Sequence, residues 1–197
     1  MKLEVRIHGR GGQGVVTAAE LLSMAAFDQG LHAQALPSFG SERTGAPVMA
    51  SCRISDHAIR SHDPVSHPDI LVVQDLTLLR DSAVLAGLPE DGIVVVNTNR
   101  DLADLVKGGL EPGPAQRWVT VPANDLSREL LGRPLPNTAL VGAVAGITDL
   151  LGPEAVASAI RRRFAGAGQG IADANVRLAE EARHLVMSQA RGSEAHA

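Results

Sequence analysis

The alternation of apolar and polar positions starts at the beginning of the chain. Leu3, Val5 and Ile7 share one parity and Glu4, Arg6 and His8 the other, as a half-buried strand requires. Val15 to Asp28 is apolar except for a narrow polar line through Thr17, Glu20, Ser23 and Asp28, the pattern of a well-buried helix. His32 to Leu36 reads as a second strand. Val48 to Ile54 alternates again, and Ser55-Asp56-His57 turns the chain toward Ala58-Ile59-Arg60, which predicts an antiparallel hairpin. Asp69-Ile70-Leu71-Val72-Val73-Gln74-Asp75 is a continuous apolar run closed by a carboxylate, as a central parallel strand requires. A helix from Thr77 to Leu88, a buried strand from Ile93 to Val96, a short helix from Asp101 to Lys107 and a strand from Trp118 to Val121 continue the alternation.

Beyond that point the pattern turns helical. Asn124 is placed to cap a helix through Leu131, and Asn137 is a good N-cap for Ala139 to Leu151. That second helix is apolar nearly all round, so it belongs to the core or to a subunit interface. Glu154–Phe164 and Ile171–Gln189 are two more helices. The expected fold is α/β and Rossmann-like: a mainly parallel sheet flanked by helices, with a helical C-terminal part. Residues 1–190 are expected to form one domain, and 191–197, small and polar, a disordered tail.

Two loops at strand ends carry candidate chemistry. Gly9, Gly11 and Gly14, in Gly9-Arg10-Gly11-Gly12-Gln13-Gly14, fit G-x-G-x-x-G between a strand and a helix. Glycines allow a tight turn and close approach, and free N–H groups at a helix start attract anions. A tight turn without a ligand gives the same pattern. The dinucleotide version requires an acidic residue about 20 positions on, at the end of the second strand, and Pro37-Ser38 stand there instead, which disfavours NAD. The second loop runs from Pro37 to Pro47 and holds Ser38, Gly40, Ser41, Glu42, Arg43, Thr44 and Gly45. Following a strand, it is placed beside the glycine loop on the ligand side of an open sheet, or is simply a solvated connection.

Composition removes several classes of function. At 197 residues the chain is long enough for one full core, and its 45% hydrophobic and 20% charged residues are ordinary for a globular protein. A net charge of −4, three Phe, one Trp and no Tyr argue against nucleic-acid binding. One cysteine, Cys52, rules out an internal disulfide and an iron–sulfur cluster held by this chain alone. It shares the parity of Val48, Ala50 and Ile54, so it is expected to be a buried strand residue. His57, His62 and His67 recur every five residues, a spacing that gathers no metal ligands on one face. Arg161-Arg162-Arg163 suits a helix C-terminus. No Ser-His-Asp arrangement, convincing carboxylate pair or zinc-type cluster is found, so no catalytic residue or metal ligand is expected. The chain enters its first strand without a leader, and no apolar run nears about 18 residues, so a soluble, cytoplasmic protein is expected.

Taken together, four stretches resemble the gamma subunit of 2-oxoacid:acceptor oxidoreductases of the pyruvate:ferredoxin type. They are Gly9–Gly14 with Thr17-Ala18-Ala19, Pro37–Pro47, Arg133-Pro134-Leu135-Pro136-Asn137-Thr138-Ala139-Leu140, and Ala172-Asp173-Ala174-Asn175. The resemblance extends to about Leu185. It implies oxidative decarboxylation of a 2-oxoacid with coenzyme A to an acyl-CoA and carbon dioxide. It also implies thiamine diphosphate and iron–sulfur clusters on partner subunits of alpha, beta and delta type, and a coenzyme A-associated role for this chain. Carried onto this sequence, the candidate binding residues are Gly9, Arg10, Gly11, Gly12, Gln13, Gly14, Ser38, Gly40, Glu42, Arg43, Gly45 and Asn137. The N–H groups of Gly11 to Gly14 are expected to receive a phosphate, with Arg10 or Arg43 supplying charge. The other readings are a purely structural subunit whose glycine loop grips a partner chain, and a freestanding nucleotide-binding module.

Overall fold

The computed structural model describes residues 2–37, 45–148 and 150–194. Six strands form one sheet: β1 (Lys2–Arg10), β2 (His32–Pro37), β3 (Pro47–Ser55), β4 (Ile70–Val73), β5 (Ile93–Asn97) and β6 (Arg117–Val121). Their order is β2-β3-β1-β4-β5-β6. β1, β4, β5 and β6 are parallel neighbours, whereas β3 runs antiparallel to both β1 and β2. The antiparallel strand is therefore interior, and its hairpin partner is β2. Residues 58–60 are not in a strand, because β1 and β2 already occupy both edges of β3.

The strand periodicity divides the sheet into two unlike faces. Val5, Ile7, Ala50, Cys52, Ile54, Ile70, Val72, Val95, Val119 and Val121 point into the main core, each at most 5% exposed. The helices α1 (Val15–Asp28), α4 (Asn137–Ile147), α5 (Pro153–Phe164) and α6 (Gln169–Glu194) complete that core. α6 continues beyond Arg191, where a disordered tail was expected, and residues 195–197 lie outside the described residues. α4 and α6 pack so closely that a Cβ on Gly142 would run into the Ala179 carbonyl. Buried Cys52 carries a thiol that burial pushes up to about 12, so it is inert core.

The opposite face is covered by much less regular chain. Leu71, Val73, Val94, Val96 and Trp118 meet Leu78 and Val84 in a smaller apolar cluster. The helix expected over Thr77–Leu88 is instead two short 3-10 segments, Leu76–Arg80 and Ser82–Leu85. Asp75 and Asp81 each accept the N–H two residues on, which restarts the turn, and Arg6 Nη2 donates to the Val84 and Ala86 carbonyls at 3.0 and 2.6 Å. Carbonyls turned down to a strand arginine are unavailable to an α-helix. Over β1 and β3 this face is polar. Arg53 donates to the Glu4 carboxylate (2.6 Å) and to the carbonyls of Ser61 and Asp63, each at 3.2 Å, while Arg6 also reaches the Ser66 carbonyl. Two buried arginines thus clasp the coil of residues 56–69 to the sheet.

The short helices α2 (Leu102–Lys107) and α3 (Ala123–Leu131) follow β5 and β6. Asp101 caps α2 through its bond from the Asp104 N–H. α3 begins one residue before Asn124, which is not its cap; the Asn97 side chain from β5 accepts the Asn124 N–H at 3.1 Å instead.

The close α4–α6 contact yields a test. Gly142→Ala is expected to destabilise the protein by about 1–3 kcal/mol through overpacking. Gly166→Ala, where a Cβ meets open space, is expected to change it by less than about 0.5 kcal/mol. Urea denaturation midpoints compare the two.

Candidate functional site

The carboxyl edge of the sheet has a natural crevice where the chain leaves β1 toward β2 on one side and β4 toward β5 on the other. The glycine motif lies beside it, but differently from the sequence expectation. β1 extends through Arg10, so Gly9 and Arg10 are strand residues and the loop proper is Gly11–Gly14. A Cβ on Gly9 would lie 2.6 Å from Val15 Cγ2 and 2.9 Å from Gln74 Oε1, so this glycine lets helix, strand and the end of β4 close together. Gly12 and Gly14 take φ of +94° and +74°, the left-handed region that glycine enters without strain. A Cβ on Gly12 would meet nothing within 4 Å, whereas one on Gly14 would lie 2.6 Å from Asn137 Nδ2.

Much of the expected phosphate-binding apparatus is spent on the loop itself. The Gly11 N–H donates to the Ala46 carbonyl (2.9 Å) and the Gln13 N–H to that of Arg10 (3.0 Å). The Gly45 N–H donates to the Gly11 carbonyl at 3.1 Å, stitching the two loops together, with Gly45 at φ +84°. The Gln13 side chain accepts the Arg10 N–H at 2.8 Å. Arg10, expected to supply charge to a ligand, donates from Nε to Asp75 (3.0 Å), from Nη2 to Thr77 (2.7 Å) and from Nη1 to the Gly45 carbonyl (3.1 Å). Burial raises the Asp75 carboxyl, but hydrogen bonds from Thr77 and the charge of Arg10 outweigh it and hold it below the usual carboxylate value. Gly14 forms the N-terminal boundary of α1, and among the described residues no side chain caps the N–H groups of the first turn.

Asn137 is the first residue of α4, behind Pro136, and makes no capping bond. It is 2% exposed, packs on Gly14, and its Oδ1 has no partner among the described residues. Gln74, 0% exposed at the end of β4, has neither side-chain amide atom paired among the described residues. Its main chain is fixed by bonds from its N–H to the His8 carbonyl and from Asn97 Nδ2 to its own carbonyl, each 2.8 Å. The uncapped N-termini of α1 and α4 thus meet over a small buried polar cluster. Ser38, Gly40, Glu42 and Arg43 lie outside the described residues.

On the other face of β1, His8 and Arg10 line an open cavity of about 410 Å³ with Pro47, Thr77, Arg80 and Asp81. Burial, helped by the Arg6 charge, lowers the His8 imidazole to about 4, and its Nε2 is unpaired. The group is neutral through the physiological range. Neither His8 nor Gln74 was singled out by the sequence, since only burial distinguishes them; the one available signal was the polar pair closing an apolar run. Each of the three consecutive arginines of α5 pairs with a different carboxylate, Asp173, Asp28 or Glu20. Among the described residues no group of His, Cys, Asp and Glu is arranged to hold a metal ion.

A family model for pyruvate ferredoxin/flavodoxin oxidoreductase matches residues 4–185. The chain belongs to the pyruvate ferredoxin/flavodoxin oxidoreductase family. It is 45% identical over 181 residues to the pyruvate/ketoisovalerate oxidoreductases common subunit gamma of Thermococcus kodakarensis, covering 91% of this chain and 95% of that one. The crystal structure of pyruvate oxidoreductase subunit PORC from Thermotoga maritima superposes with a TM-score of 0.79 at 37% identity, over 93% of this chain and 96% of that one. The same fold recurs in 2-oxoglutarate:ferredoxin oxidoreductase from Magnetococcus marinus, with a TM-score of 0.77 at 14% identity, covering 95% of this chain and 31% of that longer one. Within the pyruvate ferredoxin/flavodoxin oxidoreductase family this is a gamma subunit, one part of a multi-subunit oxidoreductase. No helix among its described residues is long and apolar enough to cross a membrane.

Two tests follow from this geometry. Gly14→Ala forces a left-handed alanine, costing about 1–2 kcal/mol, and also presses on Asn137. In an Asn137→Ala background its cost is expected to fall by at least about 0.5 kcal/mol, read from a double-mutant cycle of urea midpoints. For His8, the unfolded chain takes up a proton between the ordinary value of 6.5 and about 4 while the folded chain does not, so stability falls as pH drops through that window. His8→Gln is expected to flatten the decline of denaturation midpoints across it.

Proposed function

We propose that this gamma subunit supplies the coenzyme A side of the oxidative decarboxylation of a 2-oxoacid to an acyl-CoA and carbon dioxide. One observation carries the reading: α1 opens uncapped at Gly14, beside an outward-facing Gly12, at the crevice between β1 and β4. A phosphate fits there, accepting from the Gly12 and Gly14 N–H groups and the first turn of α1. Gly9, Arg10, Gly11, Gln13, Gly45 and Asn137 act around it by fixing the loop's shape, and Ser38, Gly40, Glu42 and Arg43 are further candidates by sequence alone. The related fold in the Magnetococcus marinus enzyme belongs to a protein with 2-oxoglutarate, coenzyme A and succinyl-CoA bound, which supports the reading.

Thiamine diphosphate and iron–sulfur clusters, which supply the decarboxylation and carry the electrons, are assigned to partner subunits of alpha, beta and delta type in the cytoplasm. With Cys52 alone and buried, this chain does not fit a cluster. Its own residues would hold and aim the thiol substrate, contributing by proximity without a catalytic side chain.

A second reading, a loop that grips a partner chain, is favoured by the internal use of the Gly11 and Gln13 N–H groups and of Arg10. Gly12→Leu separates the two. A Cβ there meets nothing within 4 Å among the described residues, and the left-handed strain of a leucine at φ +94° falls on the loop itself, away from the core. The assembled complex is expected to form normally, as judged by native mass spectrometry, and its KM for coenzyme A to rise about ten-fold or more, the size of one charge-assisted contact. An unchanged KM defeats the coenzyme A reading, and loss of partner chains supports the grip.

A further inference from the structure

A second opening, on the thinly covered face of the sheet, is unused by the proposal above. Leu76, Thr77, Leu79, Arg80, Arg100, Leu105, Gly108, Gly109 and Leu110 surround a pocket of about 280 Å³, between the first 3-10 segment and α2. It is smaller than the roughly 300–1,000 Å³ that holds a whole drug-sized ligand, so it suits one part of a larger one. Its walls are four leucines and two backbone-exposing glycines, and its charges are two guanidinium groups. Arg80 is exposed and has no hydrogen-bond partner or ion pair among the described residues. The Arg100 side chain donates one bond, from Nη2 to the Asp104 carbonyl at 2.7 Å, and pairs with no carboxylate among the described residues. Three acids around the pocket have partners of their own: Asp101 accepts the Asp104 N–H, Asp104 pairs with Lys107, and Asp75 holds Arg10, while Asp81 lines the adjoining cavity and accepts the Ala83 N–H.

The pocket borders the cavity beside Arg10, the last residue of β1 before the glycine loop. Thr77 and Arg80 line both this pocket and the 410 Å³ cavity beside Arg10. Thr77 accepts from Arg10 Nη2 at 2.7 Å, so a single arginine side chain spans the distance from the loop to the pocket rim. A flat apolar ring between leucine walls, with a dianionic phosphate beside two arginines, matches this chemistry. Guanidinium groups bind phosphate bidentately and stack on ring faces.

We propose that the pocket between Leu76–Arg80 and α2 receives the adenosine 3′-phosphate end of coenzyme A, with Arg80 and Arg100 as the residues that read the 3′-phosphate. This rests on the coenzyme A reading of the glycine loop, which takes the diphosphate; the pantetheine arm then points away along the carboxyl edge. Arg80 and Arg100 are specificity-determining residues on this account, and the leucines hold the base.

The test uses the assembled complex with coenzyme A and 3′-dephospho-coenzyme A as the two substrates. The Arg80→Ala, Arg100→Ala double variant is expected to raise KM for coenzyme A about ten-fold or more and KM for the dephospho form by less than two-fold. The preference of the wild type for the 3′-phosphate is thereby lost, and Arg80→Lys with Arg100→Lys restores part of it. Equal KM changes for both substrates, or none for either, overturn the assignment. So does loss of partner chains from the purified double variant, which would mark the pocket as a dock for an acidic segment. The Gly12→Leu complex keeps the two proposals apart. If Gly12→Leu weakens both substrates while the arginine variants change neither, the pocket assignment alone fails. If Gly12→Leu changes neither substrate, the coenzyme A reading fails with it.

Discussion

The carboxyl edge is organised by one guanidinium group that crosses a gap the main chain does not. β1 and β4 are neighbours, yet the chain leaves them in opposite directions, so nothing covalent spans their ends. Arg10 does so, joining Asp75 and Thr77 after β4 to the Gly45 carbonyl of the neighbouring loop. Bonds with a charged partner are among the stronger ones a protein makes, and here they fix three segments at once. The cost is that the most obvious cation of the glycine loop is unavailable as a ligand. What remains for recognition is main chain: N–H groups presented by Gly12, Gly14 and the open end of α1.

The two faces of the sheet are held by different physics. On the helical side, small residues bring α1, α4 and α6 close, and the core is alanine- and valine-rich with few large side chains. On the other side, buried guanidinium groups of Arg6 and Arg53 stand where apolar residues are usual, and their Nη atoms donate to carbonyls of irregular chain. This arrangement leaves the thin side open near the carboxyl edge. Both cavities described above lie there.

Periodicity made most of the architecture legible. Strand positions, the well-buried α1 and the helical C-terminal part all follow from apolar spacing that needs no distant partner to be recognised. The misplacements share a cause. The 77–88 segment has helical composition but loses its carbonyls to Arg6, a residue far away in sequence. Asn124 and Asn137 look like caps, yet Asn97 caps one helix and the other begins behind Pro136. The pairing of β3 with β1 and β2 was hidden because alternation reveals a strand but not its neighbours. Within the candidate site, the glycine spacing was visible, whereas Gln74 and His8 acquire meaning only from lost contact with water.

The clasp over the second face has a consequence for how such a subunit can diversify. Arg6 and Arg53 hold the coil mostly by its carbonyl oxygens, and every amino acid carries one. Val65 is buried and Asp69 accepts the Glu4 N–H, but exposed side chains of that coil such as Arg60 and His67 are under little obligation to the sheet beneath. New residues can be tried at those exposed positions without disturbing the core, so they form a surface on which relatives are free to rewrite what they present to their neighbours.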